Sequence, residues 1–166
     1  RVANAVVEWA KSPDVCNRVH VQIVLMPTCF CHASSIVAAR RLLPEVFLLV
    51  TGDHVFDPKL VHRLANVELT ADGLGCVLVD GDIHARSSGV ADTGVFVHRT
   101  PHGRITAIGR AQEMPVGQRN GVEAGMFLLH RAMVETLIDL STVRPYYSLA
   151  MALSLVASLG KLRCEE

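Results

Sequence analysis

The chain has 166 residues, half of them hydrophobic and 19% charged, so it has the material for a packed core and not for a disordered segment. Sixteen basic residues balance sixteen acidic ones, which removes any net field that would draw it to nucleic acid or to an anionic membrane. No apolar run reaches membrane-spanning length and no signal peptide is visible.

The first element is a helix, with Val2, Val6, Val7 and Trp9-Ala10 on one apolar face, ended by Ser12-Pro13-Asp14. The β-branched run Val19 to Met26 predicts a strand stopped by Pro27. Ser34 to Leu43 predicts a helix, capped by Ser34 or a neighbour and ended by Pro44. Val46 to Val50 is apolar throughout, as in a strand covered on both faces. Asp57 and Pro58 are the N-cap and first residue of a helix that runs to Asn66. Cys76 to Asp80 predicts a second buried strand, and Val95–His98 with Arg104–Ile108 a hairpin around Pro101-His102-Gly103. A strand over Val122–Leu129 and a helix over Arg131–Leu140 follow. A last helix from Tyr146 to Leu159 is closed by Gly160.

Helices alternating with apolar strands predict an α/β fold. Its three layers are a mixed, mainly parallel central sheet with helices on both faces, in one domain over residues 1–166. Both ends have the look of cuts: Arg1 opens inside a helical pattern and Glu166 follows closely on a helix. The five cysteines, Cys16, Cys29, Cys31, Cys76 and Cys164, are odd in number in a chain that is not small. That reads as a reduced set in a cytoplasmic protein.

In open α/β sheets ligands bind at the carboxyl ends of strands. Asp53 lies just past such an end, after Thr51-Gly52, and Gly52 lets backbone and ligand approach closely. A carboxylate there suits Mg²⁺, which takes one or two protein carboxylates and keeps waters. It would serve equally well as a cap on the turn toward Asp57-Pro58. His54 is either a site residue or a polar loop residue. Asp80-Gly81-Asp82 reads as a turn more than a metal pair. Cys29-Phe30-Cys31-His32 lacks the spacing and second ligand pair of a structural zinc site.

The run Phe47-Leu48-Leu49-Val50-Thr51-Gly52-Asp53-His54-Val55-Phe56 resembles the sugar-phosphate nucleotidyltransferases, nearest to their inositol-1-phosphate cytidylyltransferase branch, in which a strand leads to Gly-Asp-His and a helix. Other stretches align in order. Cys31 to Ala39 resembles the small-residue helix that begins near the nucleotide base, which places Ser34 at the substrate. Gly103 to Arg110 resembles a G-R-I-x-x-I-G-K hairpin, with Arg110 for the usual Lys. Val122 to Phe127 resembles the x-D-x-G-x-F strand under the sugar phosphate. Ser148-Leu149 onward resembles the late helix.

The resemblance implies a nucleotide-diphospho-sugar transferase-like fold. It implies transfer from a nucleoside triphosphate, CTP by the branch, to a sugar or polyol phosphate with loss of pyrophosphate. Asp53 would hold Mg²⁺, Arg110 would contact a phosphate, Glu123 and Gly125 would line the acceptor pocket, and His54 would orient the metal loop or a ligand. Two family features are missing from the sequence: the early L-A-A-G-x-G-x-R phosphate loop and the late W-x-D-x-D-T stretch with its second metal ligand. The polypeptide as it stands is therefore expected to be incomplete for catalysis, and a non-catalytic ligand-binding or regulatory module on the same fold is the alternative. A different α/β domain, matched by chance, is a third reading. Apolar surface left at such edges would promote a homo-oligomer.

Overall fold

The computed structural model describes residues 2–26, 31–82, 94–144 and 146–166. The chain divides into two compact units, residues 1–30 and residues 31–166.

The first unit holds α1 (Val2–Ala10) and the short α2 (Pro13–Cys16). Ala10 is buried, while Val6 and Trp9 of the expected apolar face are exposed. The strand expected over residues 19–26 is absent: the segment has no regular structure, and Val19 and Leu25 are exposed. β-Branched residues favour an extended backbone, but a strand exists only where another strand takes its hydrogen bonds. Pro27, its expected stop, lies outside the described residues.

The second unit is a six-stranded mixed sheet between helices. Its elements are α3 (His32–Ala39), β1 (Val46–Val50), α4 (Pro58–Ala65), β2 (Gly75–Asp80), β3 (Val95–Arg99), β4 (Ile105–Arg110), β5 (Gly121–His130), α5 (Ala132–Val143), α6 (Leu149–Ser158) and β6 (Leu162–Glu165). The path runs β4-β3-β5-β2-β6, with β1 also paired to β5. β1, β2, β3 and β6 point one way, and β4 and β5 the other. Parallel direction thus dominates, but parallel adjacency does not. Only β2–β6 is a parallel pair, because β5 runs opposite between β1, β2 and β3.

Alternation along each strand builds two cores. Phe47, Val77, Val79, Phe127 and Leu129 face α3, α5 and α6 on one side. Leu48, Cys76, Leu78, Met126 and Leu128 face Leu64 and Leu60 of α4 on the other. This is the expected three-layer arrangement, and it explains why β1 and β2 are apolar throughout. Burial pushes the Cys76 thiol up to about 12, so it packs as a small hydrophobe. Cys16 and Cys164 are free thiols as well, and Cys29 lies outside the described residues.

Local signals act as their chemistry dictates. Asp57 accepts from the Lys59 amide at 2.8 Å and caps α4, and Ser148 does the same for Met151 at 3.2 Å in α6. α3 starts two residues earlier than expected, capped by Cys31 with Ser34 reciprocating. Gly160, at φ +73°, ends α6. Asp80 accepts from the Asp82 amide at 2.9 Å, the turn expected of that pair. β6 was not expected. Its four residues alternate, Leu162 and Cys164 inward and Arg163 exposed, and its parallel bonds to β2 cover the sheet edge.

Leu129 is fully buried in the larger core. Leu129→Ala is expected to cost about 2–5 kcal/mol, read as a lower midpoint in urea denaturation.

Candidate functional site

The site is built where β1 ends against an irregularity in β5. In the β2–β5 ladder Val77 pairs with Phe127 and Val79 with Glu123, so Leu78 alone stands opposite residues 124–126. The extra backbone is a bulge, and Gly125 within it takes φ +82°. A side chain is unfavourable there on conformational grounds, and space forbids it too. A Cβ on Gly125 would lie 2.4 Å from Thr51 Oγ1 and 3.1 Å from His54 Nδ1.

Leaving β1, Thr51 ties itself to that bulge. Its amide donates to Gly125 O at 2.9 Å and its hydroxyl to the same oxygen at 3.2 Å. His54 Nδ1 lies 2.8 Å from Thr51 Oγ1 and 2.8 Å from Asp53 Oδ1. The His54 ring stacks on Phe56 with centroids 5.8 Å apart. Glu123 accepts a short hydrogen bond from the Gly125 amide. Asp53, His54, Glu123 and Gly125, expected from two separate motifs, therefore meet in one place.

The two carboxyls of this cluster are shifted in opposite directions. Asp53 is open to solvent with its side chain 78% exposed, and its hydrogen bond from His54 holds it below the ordinary carboxylate value. Burial pushes Glu123 up, against the bond from Gly125 and the fields of His54 and His32. His32 opens α3, so the first turn of that helix, with Ser34, faces the cluster electrostatically. The Ser34 hydroxyl itself donates to Cys31 O at 2.7 Å and accepts from Cys31 N at 3.3 Å, which is capping work. Gly52 stands in open space: an added Cβ would meet nothing within 4 Å, so neither packing nor a left-handed φ demands glycine there.

Arg110 lies elsewhere. It lines a cleft of about 480 Å³ between β4 and α5–α6, with Arg144, Gln118, Ser148 and Ser154. Its amide is held by Glu113 at 2.7 Å. The sheet register relates the two places. Val95 pairs with Arg110, and the β3–β5 register carried one step past its last pair, Phe96–Val122, sets Val95 toward Glu123. Arg110 and Glu123 therefore share a row and a face of the sheet, two strand spacings, about 10 Å, apart. The sequence reading missed Arg144 and Thr51. Arg144 belongs to no quoted motif, and Thr51 stood inside one without a role.

Among the described residues no three His, Cys, Asp or Glu side chains are grouped to hold a metal. An exposed, ionised Asp53 fits Mg²⁺, which needs only one or two protein carboxylates when phosphate and water supply the rest. No helix among the described residues is long and apolar enough to cross a membrane.

No protein-family model matches the chain. Over 111 residues it is 32% identical to a bifunctional IPC transferase and DIPP synthase of Rubrobacter xylanophilus. The match covers 66% of this chain and 22% of that protein, so the chain spans about a fifth of its curated relative. The inositol-1-phosphate CTP transferase from T. maritima superposes with a TM-score of 0.61 at 19% identity, over 81% of this chain and 51% of that one. A Bacillus anthracis protein assigned as a glucose-1-phosphate thymidylyltransferase, solved with sucrose, gives 0.70 at 14% identity, over 98% and 63%. At those identities the two structures establish the fold.

Gly125→Ala is expected to destabilise the chain by about 1–3 kcal/mol in urea denaturation, from φ strain and the clash with Thr51. Glu123→Gln tests the burial of the carboxyl. With a folded value above the ordinary 4.5, the protonated form is favoured by folding. The contribution of Glu123 is then fully present below 4.5 and is lost as pH rises through the raised value. Wild-type stability minus that of Glu123→Gln should fall as pH rises above the ordinary 4.5. A flat difference means a solvated carboxylate.

Proposed function

We propose that this chain belongs to the sugar-phosphate nucleotidyltransferases and is the core of a cytidylyltransferase acting on a sugar or polyol phosphate. The observation that carries the reading is the meeting of Asp53-His54, at the carboxyl end of β1, with Glu123 and Gly125 at the bulge of β5. The names of the curated relative and of the T. maritima structure support a CTP donor and a polyol-phosphate acceptor.

In the reaction an acceptor phosphate oxygen attacks the α-phosphorus of the nucleotide in line, and pyrophosphate leaves. Catalysis of that kind is positioning plus charge neutralisation. Asp53 would hold Mg²⁺, which when bound neutralises phosphate charge. Arg110 and Arg144 offer two guanidiniums to the acceptor phosphate, each matching its oxygens in a planar fork. Glu123 lies in the same row about 10 Å away, at a reach suited to a hydroxyl on the other end of a phosphorylated polyol. His54 lies beside it, within the field that acts on Glu123. The first turn of α3, with Ser34, supports a base-side wall. Gly52, with open space around it, leaves room for a ligand against the backbone. A cytoplasmic setting and self-association belong to the same reading.

A second reading is a non-catalytic ligand-binding or regulatory module on this fold. It would use the same cluster to hold a ligand without turnover. Calorimetry separates the two. CTP, in preference to ATP, GTP and UTP, is expected to bind in the presence of Mg²⁺, and Asp53→Ala to weaken it by about tenfold or more. Absence of metal-dependent binding with all four nucleotides favours the second reading.

A further inference from the structure

Thr51 touches both halves of the cluster. Its hydroxyl has one proton and two neighbours, the Gly125 carbonyl at 3.2 Å, which can only accept, and His54 Nδ1 at 2.8 Å. With that proton on the Gly125 carbonyl, the oxygen offers Nδ1 a lone pair. Asp53 Oδ1, also 2.8 Å from Nδ1, is a carboxylate oxygen and offers the same. Two acceptors thus converge on one ring nitrogen, and that nitrogen must carry the proton. A histidine with its proton on Nδ1 keeps a lone pair on Nε2, at the far side of the ring. Phe56, stacked 13° from parallel, fixes the plane in which that lone pair points. The His54 side chain is 47% exposed, so a ligand can reach it.

We propose that Thr51 is a positioning residue whose hydroxyl sets the orientation and the Nδ1–H form of His54, so that Nε2 accepts a hydrogen bond from a hydroxyl of the acceptor substrate. The acceptor role rests on the nucleotidyltransferase reading, while the setting of His54 does not. The bulge is what permits the arrangement. Gly125 lacks the Cβ that would occupy the place of Thr51 Oγ1, and its carbonyl takes the Thr51 proton. Valine in place of Thr51 keeps the shape and the backbone bond to Gly125 but presents a methyl group to His54.

The experiment pairs Thr51→Val with Thr51→Ser in the full chain. The first readout is the ¹⁵N–¹H side-chain spectrum of His54 in alkaline buffer, where imidazoles are neutral. Wild type and Thr51→Ser are expected to show the Nδ1–H form, and Thr51→Val a shift of population toward Nε2–H. An Nε2–H form in wild type, or a Thr51→Val spectrum identical to wild type, overturns the proposal. The second readout is calorimetric binding of inositol 1-phosphate with Mg²⁺ and CTP present. Loss of one hydrogen bond should weaken it about fivefold in Thr51→Val and leave Thr51→Ser unchanged. If the ring form follows the hydroxyl while inositol 1-phosphate binds equally well to all three proteins, the acceptor role of Nε2 is overturned. If wild type binds neither CTP nor inositol 1-phosphate, the transferase reading fails and takes the acceptor role with it. A ring form indifferent to the hydroxyl removes the Thr51 proposal and leaves that reading standing.

Discussion

The bulge at Gly125 is the constraint on which the site depends. β5 is the strand that β1, β2 and β3 all pair with, so its backbone sets the register of the sheet. An interruption there would break the ladder to β2 if its polar groups were left unpaired. They are not: the Gly125 amide goes to Glu123, and its carbonyl takes both the amide and the hydroxyl of Thr51. Those two contacts draw in Glu123 from β5 and the Thr51–His54 turn from β1. Satisfying a defect in the central strand is thus the same act as assembling the carboxylates and the imidazole.

The opposite shifts of Asp53 and Glu123 follow from where the bulge puts them. Asp53 sits beyond the strand end in water, where a neighbouring imidazole lowers its affinity for protons. Glu123 turns its carboxyl under the bulge, where burial raises it. Distance from solvent, not residue type, sets the two directions.

The sequence disclosed most of the framework because the signals were local. Asp57-Pro58 named its own helix start, the hairpin followed from Pro101-His102-Gly103, and the apolar β1 and β2 announced two covered faces. Partnership was illegible. Residues 19–26 have the composition of a strand and find no partner among the described residues. Leu162–Glu165, too short to notice, finds one in β2. Strand adjacency was hidden for the same reason, since no local residue says that β5 runs between co-directional strands. Asp53 and His54 were candidates from their place past a strand end, Glu123 and Gly125 only through motif resemblance, and their contact depends on a bulge that no spacing rule reveals. Arg110 was visible as a charge at a strand end. Its neighbour Arg144 becomes relevant only once α5 is packed beside β4.

The position of β5 also orders events in time. Val46 pairs with His130 and Gly75 with Leu129, so neither early strand of the second unit has its mate until the chain has been made through residue 130. β1 and β2 are co-directional and are kept apart by β5, so they cannot shelter one another in the interval. Such non-local pairing slows folding, because a long loop must close before any ladder bond repays it. During synthesis the apolar runs 46–50 and 75–80 are strands in waiting, with both faces and both edges open to other chains. A polypeptide halted before Gly121 would pair β3 with β4 but leave β1 and β2 without the strand that lies beside them.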